Sequence, residues 1–239
     1  MRTLIFYLLA PPITIFYSSL MCVLSWHPQR MRIGNWISHR WSRAIVALLG
    51  VDLRVDLSAL DPGQNYVFMA PHQSNLDIPL VFALLDQYAT QFVAKKSLFR
   101  IPIFGWAMFL SGQIGIDRAN RRAGMKSVQL AVERAQQGFS PIIFPEGTRN
   151  EDLAQLLPFK IGGMVLALKC GRPVAPIIIT GTGRLLPKHR LRPDRSVKIR
   201  VRALPPVDPS AYTLKDRERF KDDMYALMNG AYQEMLRDA

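Results

Sequence analysis

Cysteine is nearly absent: Cys22 and Cys170 are the only two in 239 residues, far apart and in apolar surroundings. That excludes a disulfide framework and a cysteine-rich zinc site, and it places the bulk of the chain in a reducing compartment. Histidine is equally sparse. His27, His39, His72 and His189 show no ligand spacing, so no metal is expected. Acidic residues are few as well, 18 against 31 Lys and Arg, leaving a formal charge of +13. Partners that carry negative charge follow: nucleic acid, anionic lipid headgroups or phosphorylated small molecules. Internal repeats and low-complexity linkers are missing too, which excludes a repeat array. Apolar residues are abundant, at 49% of the chain, so a packed core can form.

From Leu4 to Trp26, 23 consecutive residues carry no charge, and a helix crossing a bilayer core needs roughly 20. The stretch is too long for the apolar part of a cleaved signal and no small-x-small site follows it, so it stays attached. Pro11 and Pro12 interrupt it and are expected to kink a helix there. Arg30, Arg32, Arg40 and Arg43 follow it, against Arg2 alone before it. This bias puts the body of the chain on the cytoplasmic side of the membrane. Ile37, Trp41, Ala44, Ile45 and Leu48 then recur at helical spacing with Arg40 and Arg43 opposite. That pattern suits an interfacial amphipathic helix, or else a first core-facing helix. Residues 1–52 are thus read as membrane-associating helices and 53–239 as a separate domain.

Beyond Leu53, short apolar runs alternate with helical stretches. Tyr66–Ala70, Gln91–Ala94, Pro141–Pro145 and Val174–Thr180 read as buried strands, and Val197–Val201, alternating apolar with basic, as an edge strand. Leu76–Leu85, Arg122–Gln137, Gly162–Lys169 and Phe220–Leu236 read as helices. The alternation predicts an α/β fold, a mostly parallel central sheet flanked by helices.

Two loops carry chemistry. Pro71-His72-Gln73-Ser74-Asn75-Leu76-Asp77 follows a strand and precedes a helix. His72 and Asp77 would diverge by about 140° within a helix, so they meet only if His72 lies in the loop and Asp77 in the first turn, with Ser74 as N-cap. A carboxylate on one imidazole nitrogen fixes the tautomer and leaves the other free to take a proton. The plainer reading of Ser74-x-x-Asp77 is a capping box. The second loop, Phe144-Pro145-Glu146-Gly147-Thr148-Arg149, unites a carboxylate, a flexible turn, a hydroxyl and a guanidinium suited to phosphate. Its plainer reading is a Glu146–Arg149 ion pair steadying a turn.

Together these motifs closely resemble those of the bacterial 1-acylglycerol-3-phosphate acyltransferases, within the glycerolipid acyltransferase family. Lys96-Ser97-Leu98, Ile101-Pro102-Ile103-Phe104-Gly105 and Gly115-Ile116-Asp117-Arg118 resemble the family's second block, and Val174-Ala175-Pro176-Ile177 its fourth. The blocks run in order from about Tyr66 to Thr180. One departure is Pro71, where the family usually has Asn. The resemblance implies His72 as general base and Asp77 as its orienting partner. It assigns the glycerol phosphate to Glu146, Gly147, Thr148 and Arg149 with Lys96 and Arg118, and the acyl-donor side to Val174, Pro176 and Ile177. It further implies an N-terminal helical pair embedded in one leaflet. The expected reaction moves an acyl chain from acyl-CoA or acyl carrier protein to the sn-2 hydroxyl of 1-acylglycerol 3-phosphate, giving phosphatidic acid, with no bound cofactor.

No cysteine adjoins His72, so direct transfer is expected, with backbone amides near Gly147 as one source of oxyanion stabilisation. The same chemistry would serve glycerol 3-phosphate, a lyso-ornithine lipid or another lysophospholipid as acceptor. Two basic clusters suit an anionic membrane surface: Arg118, Arg121, Arg122 and Lys126, and the run Arg184–Arg202 with eight Lys or Arg against one Asp. They equally suit the phosphates of CoA or an acidic carrier protein. The longer run holds no aromatic residue, so a membrane-anchored nucleic-acid-binding protein is disfavoured and no nucleic-acid partner is expected.

Overall fold

The computed structural model describes residues 2–117 and 120–237. Helices α1 (Arg2–Val23) and α2 (Arg30–Leu49) precede strand β1 (Leu53–Asp56), strand β2 (Val67–Met69) and helix α3 (Asp77–Leu84). Strand β3 (Thr90–Lys95), helix α4 (Phe104–Leu110), strand β4 (Ile114–Ile116), helix α5 (Arg121–Gln136) and strand β5 (Ser140–Ile143) follow. Helix α6 (Ile161–Cys170), strand β6 (Val174–Thr180), the short helix α7 (Thr182–Leu185), strand β7 (Ile199–Ala203) and helix α8 (Arg217–Arg237) complete the chain.

The seven strands form one sheet in the order β1-β7-β6-β2-β5-β3-β4. Only the β6–β7 pair is antiparallel. Central strands β2, β5 and β6 are buried on both faces, which is why they read as unbroken apolar runs. One face packs against α2 and α3 through Phe68, Leu80, Phe82 and Ile142. The opposite face packs against α5, α6 and α8 through Met69, Val128, Met164 and Phe220.

Strand β7 corrects the edge assignment, since it lies between β1 and β6. Its Ile199, Val201 and Ala203 enter the core, while Arg202 reaches past the sheet to Glu234 of α8 at 2.8 Å. Basic side chains alternate here because their stems lie along the sheet while their charged heads reach solvent. The prolines are also accommodated. Helix α1 runs unbroken through Pro11 and Pro12, with Phe6, Ala10 and Ile13 packed against the core and Trp41 Nε1 donating to Thr14 Oγ1 at 3.0 Å. Packing on both sides of the prolines offsets the two lost backbone donors.

Helix α2 turns its apolar stripe inward rather than toward a membrane plane. Ile37 and Ile45 are buried, Ala44 and Leu48 half-buried, and Arg40 and Arg43 exposed. His39 bonds the carbonyls of Phe82 and Tyr88, and Asn35 Oδ1 accepts from Thr90 N at 2.8 Å. These polar ties fix α2 against α3 and β3, so it is the core-facing helix of the two alternatives.

Candidate active site

Strands β2 and β5 end level with each other, Met69 beside Ile143, and their following loops meet at the carboxyl edge of the sheet. This edge is where parallel sheets present ligand-binding loops. His72 lies in the loop after β2, and its Nδ1 contacts Asp77 Oδ2 at 2.8 Å. The same oxygen accepts the backbone N–H of Gln73 at 2.6 Å and of Ser74 at 2.7 Å. Asp77 is wholly buried. Three donors on one carboxylate oxygen hold the loop and the ring in a single arrangement. With the carboxylate on Nδ1, that nitrogen carries the proton and Nε2 presents its lone pair outward. The His72 side chain keeps 15% of its surface exposed, so Nε2 is reachable. Ser74 is not the N-cap, a position held by Leu76; its Oγ accepts Leu76 N at 3.3 Å and donates to Leu186 O at 2.8 Å.

The second loop is bolted to His72 at both ends. Glu146 Oε1 accepts His72 N at 2.8 Å, and Asn150 N donates to His72 O at 2.6 Å. Gly147, Thr148 and Arg149 therefore arch beside the histidine. Glu146 Oε2 accepts Leu157 N at 2.9 Å, so both oxygens brace backbone and the expected Glu146–Arg149 pair is not formed. Burial pushes the Glu146 carboxyl up to about 7. Gly147 adopts φ +70, a left-handed turn, and its N–H donates to Phe144 O at 3.0 Å, which removes that amide from the expected oxyanion role. Phe144 stacks on the His72 ring at 4.2 Å and on Phe92 at 5.3 Å.

A family model described as Acyltransferase matches residues 53–180, more than half of the chain. The chain belongs to that acyltransferase family. It is 36% identical over 77% of its length to a 1-acyl-sn-glycerol-3-phosphate acyltransferase of Chlamydomonas reinhardtii, of which it spans 56%. It is 33% identical to the enzyme of that name from Salmonella typhimurium, across 87% of this chain and 84% of that one. The crystal structure of the 1-acyl-sn-glycerophosphate acyltransferase PlsC from Thermotoga maritima superposes with a TM-score of 0.79. That match has 27% identity and covers 98% of this chain and 94% of the other.

Within this acyltransferase fold the remaining expected site residues separate into groups. Lys96 is exposed just beyond β3, on the same edge of the sheet as His72, and Arg149 is half-buried in the arch. Arg118 lies outside the described residues. Val174, Pro176 and Ile177 do not reach the site: they are buried in β6, where Val174 and Pro176 pair with Val67 and Met69 of β2. Their effect is to set the height at which the His72 loop emerges. The basic run Arg184–Arg202 is partly engaged, through Lys188 with Glu151 at 2.7 Å and Arg202 with Glu234.

Gln73 and Tyr232 received no role from sequence. Gln73 Nε2 donates to the Tyr232 hydroxyl at 2.8 Å, and that hydroxyl donates to Leu153 O, tying α8 to the catalytic loop. A crevice also adjoins the site between α1, α2, α3 and α4, with apolar walls that include Met21, Ile37, Phe92 and Phe104.

Proposed function

We propose that this protein transfers an acyl chain from a thioester donor, acyl-CoA or acyl carrier protein, to the sn-2 hydroxyl of 1-acylglycerol 3-phosphate. The product is phosphatidic acid, a phospholipid precursor. The observation that carries the reading is the buried Asp77 on His72 Nδ1 with Nε2 open beside the Gly147–Arg149 arch. His72 removes the hydroxyl proton as that oxygen attacks the thioester carbonyl, and returns it to the leaving thiolate; such a base contributes roughly 10²–10⁴-fold. Arg149 and Lys96 hold the acceptor's phosphate, with Thr148 at the exposed crest of the arch. Glu146 serves as a brace rather than as a ligand. Transfer is direct: Cys170 lies at the far end of α6, with its thiol pushed up to about 12 by burial. The acyl chain lies toward the apolar crevice, whose wall includes Phe92 of the Phe92–Phe144 stack.

The acceptor lives in a bilayer, and α1 supplies the contact. Leu4, Leu8, Ile15, Phe16 and Val23 are exposed along it, and Trp26 in the turn that follows. Phe6 and Met21 of the same helix, fifteen residues apart, are both buried against the domain. A helix fastened along its length cannot cross a bilayer while its domain stays in water, so α1 beds in one leaflet, with Trp106 and Phe109 of α4 beside it. Arg190 and Arg192 flank the start of α1, where they meet anionic headgroups of the cytoplasmic leaflet of the inner membrane. The test compares wild type with His72→Ala for acylation of 1-acylglycerol 3-phosphate by a labelled thioester. Equal turnover, or a burst of covalently acylated protein with donor alone, would remove the mechanism.

A further inference from the structure

On the sheet face covered by α5 and α6 lies a second cavity, of about 820 Å³. Strand alternation separates it from the crevice: Val93 of β3 lines the cavity, whereas Phe92 and Ala94 line the crevice. Phe144 belongs to the cavity wall and stacks on His72, so one end adjoins the catalytic ring. From there the cavity follows α6. Lys160 and Gly147 stand at the near end, Lys169 in the last turn of α6 and Arg217 at the start of α8 at the far end. The nine helical steps from Lys160 to Lys169 span about 14 Å. Asp117 is the only carboxylate in the wall among the described residues. Neither distal cation is ion-paired to a described carboxylate.

We infer that this cavity holds the phosphopantetheine arm of the thioester donor, an assignment that rests on the acyl-transfer reading above. The arm carries its sulfur and its phosphorus about thirteen bonds apart, an extended reach of about 15 Å at the per-bond rise of a peptide chain. This matches the span of α6 from Lys160 at the catalytic end to Lys169, with Arg217 in the same cavity wall. The acceptor does not match, because its phosphate sits next to the glycerol carbons that react, and cations 14 Å away cannot serve it. A fatty tail does not match either, since it ends in a methyl group that needs no counter-charge. The donor therefore straddles the edge of the sheet, with its acyl tail in the crevice, its sulfur at His72 and its arm along α6. The arm's phosphate, from CoA or from a carrier protein, meets Lys169 and Arg217.

The test is steady-state kinetics of the full chain carrying Lys169→Glu with Arg217→Glu, and of the milder Lys169→Gln with Arg217→Gln. Donors are an acyl-CoA, the same acyl chain on acyl carrier protein, and its N-acetylcysteamine thioester, which keeps the sulfur but lacks phosphate. In the charge-reversed variant KM for acyl-CoA should rise at least about tenfold, while kcat and the acceptor KM move less than about twofold. The neutral variant should show about a threefold rise by the same reasoning. A rise with both phosphorylated donors assigns the cavity to either source of the arm, and a rise with one assigns it to that source. Unchanged KM for both, or an equal rise with the truncated thioester, overturns the assignment while leaving the acyltransferase reading intact. Wild-type protein that transfers no acyl chain removes that reading and the assignment with it.

Discussion

Around His72 the interior is polar, with buried Gln73, Ser74, Asp77, Glu146 and Asn150 packed behind one imidazole; along α1 the exterior is apolar, with Leu4, Leu8, Ile15 and Phe16 facing outward. Both regions invert the usual distribution, and buried polar groups and exposed apolar patches are the departures that carry information. The buried carboxylates each accept two backbone N–H groups, Asp77 through Oδ2 and Glu146 through both oxygens, so their positions are over-determined. The exposed side chains of α1 leave most of their apolar surface uncovered, Leu4 72% and Phe16 62% exposed. The first inversion fixes geometry and the second fixes location.

If the two regions are separable in this way, changes to one should leave the other's property intact. The largest effect is expected from His72→Ala, a fall in turnover of roughly 10²–10⁴-fold with vesicle binding unchanged. Asp77→Asn should follow at about 10²–10³-fold, because an amide can present its N–H to Nδ1 and invert the tautomer. Circular dichroism should show the fold retained.

Next comes Glu146. Burial raises its carboxyl from an ordinary 4.5 to about 7. The folded chain therefore binds this proton more tightly than the unfolded chain. The stability it contributes is complete below pH 4.5 and is lost as pH rises through 7, a span of about 3 kcal/mol. Glu146→Gln cannot titrate, so the difference in Tm should move in the variant's favour across that interval. A difference independent of pH would show the carboxyl to be better solvated than it is here. Replacing Leu8 and Phe16 together by Ser should lower partition into anionic vesicles by about 10²-fold, while turnover of a water-soluble acceptor persists. The smallest effect belongs to neither region: Glu234→Gln weakens a surface pair with Arg202 and should shift stability by no more than about 0.5 kcal/mol.

The fold was legible where burial made the pattern uniform. Val174–Thr180 was read to the residue, and α3, α5, α6 and α8 to within a few residues. Strands β1 and β4 escaped notice because neither lies in a longer unbroken apolar run such as Tyr66–Ala70, which marked the equally short β2. The edge reading of β7 failed because alternating basic residues look alike on an edge strand and on an inner strand whose cations escape past the sheet. In the site, His72 and Asp77 were legible because a five-residue spacing is local. The Glu146 brace was not, since 74 residues separate it from His72, and Tyr232 stands 159 residues from Gln73. Local spacing carries no trace of such pairings.

Composition and periodicity alone determined the α/β class, the apolar first helix and the cationic balance, because each depends on neighbours in the chain; the short spacing of His72 and Asp77 was local too, and the family resemblance supplied their roles. Tertiary structure alone decided that α2 faces the core, that Glu146 braces the His72 loop, and that β6 supports the loop from beneath. It also set two apolar spaces on opposite faces of the sheet, meeting at one aromatic stack. These depend on which distant segments share a sheet edge, and that is settled by the packing of the whole core rather than by any single segment.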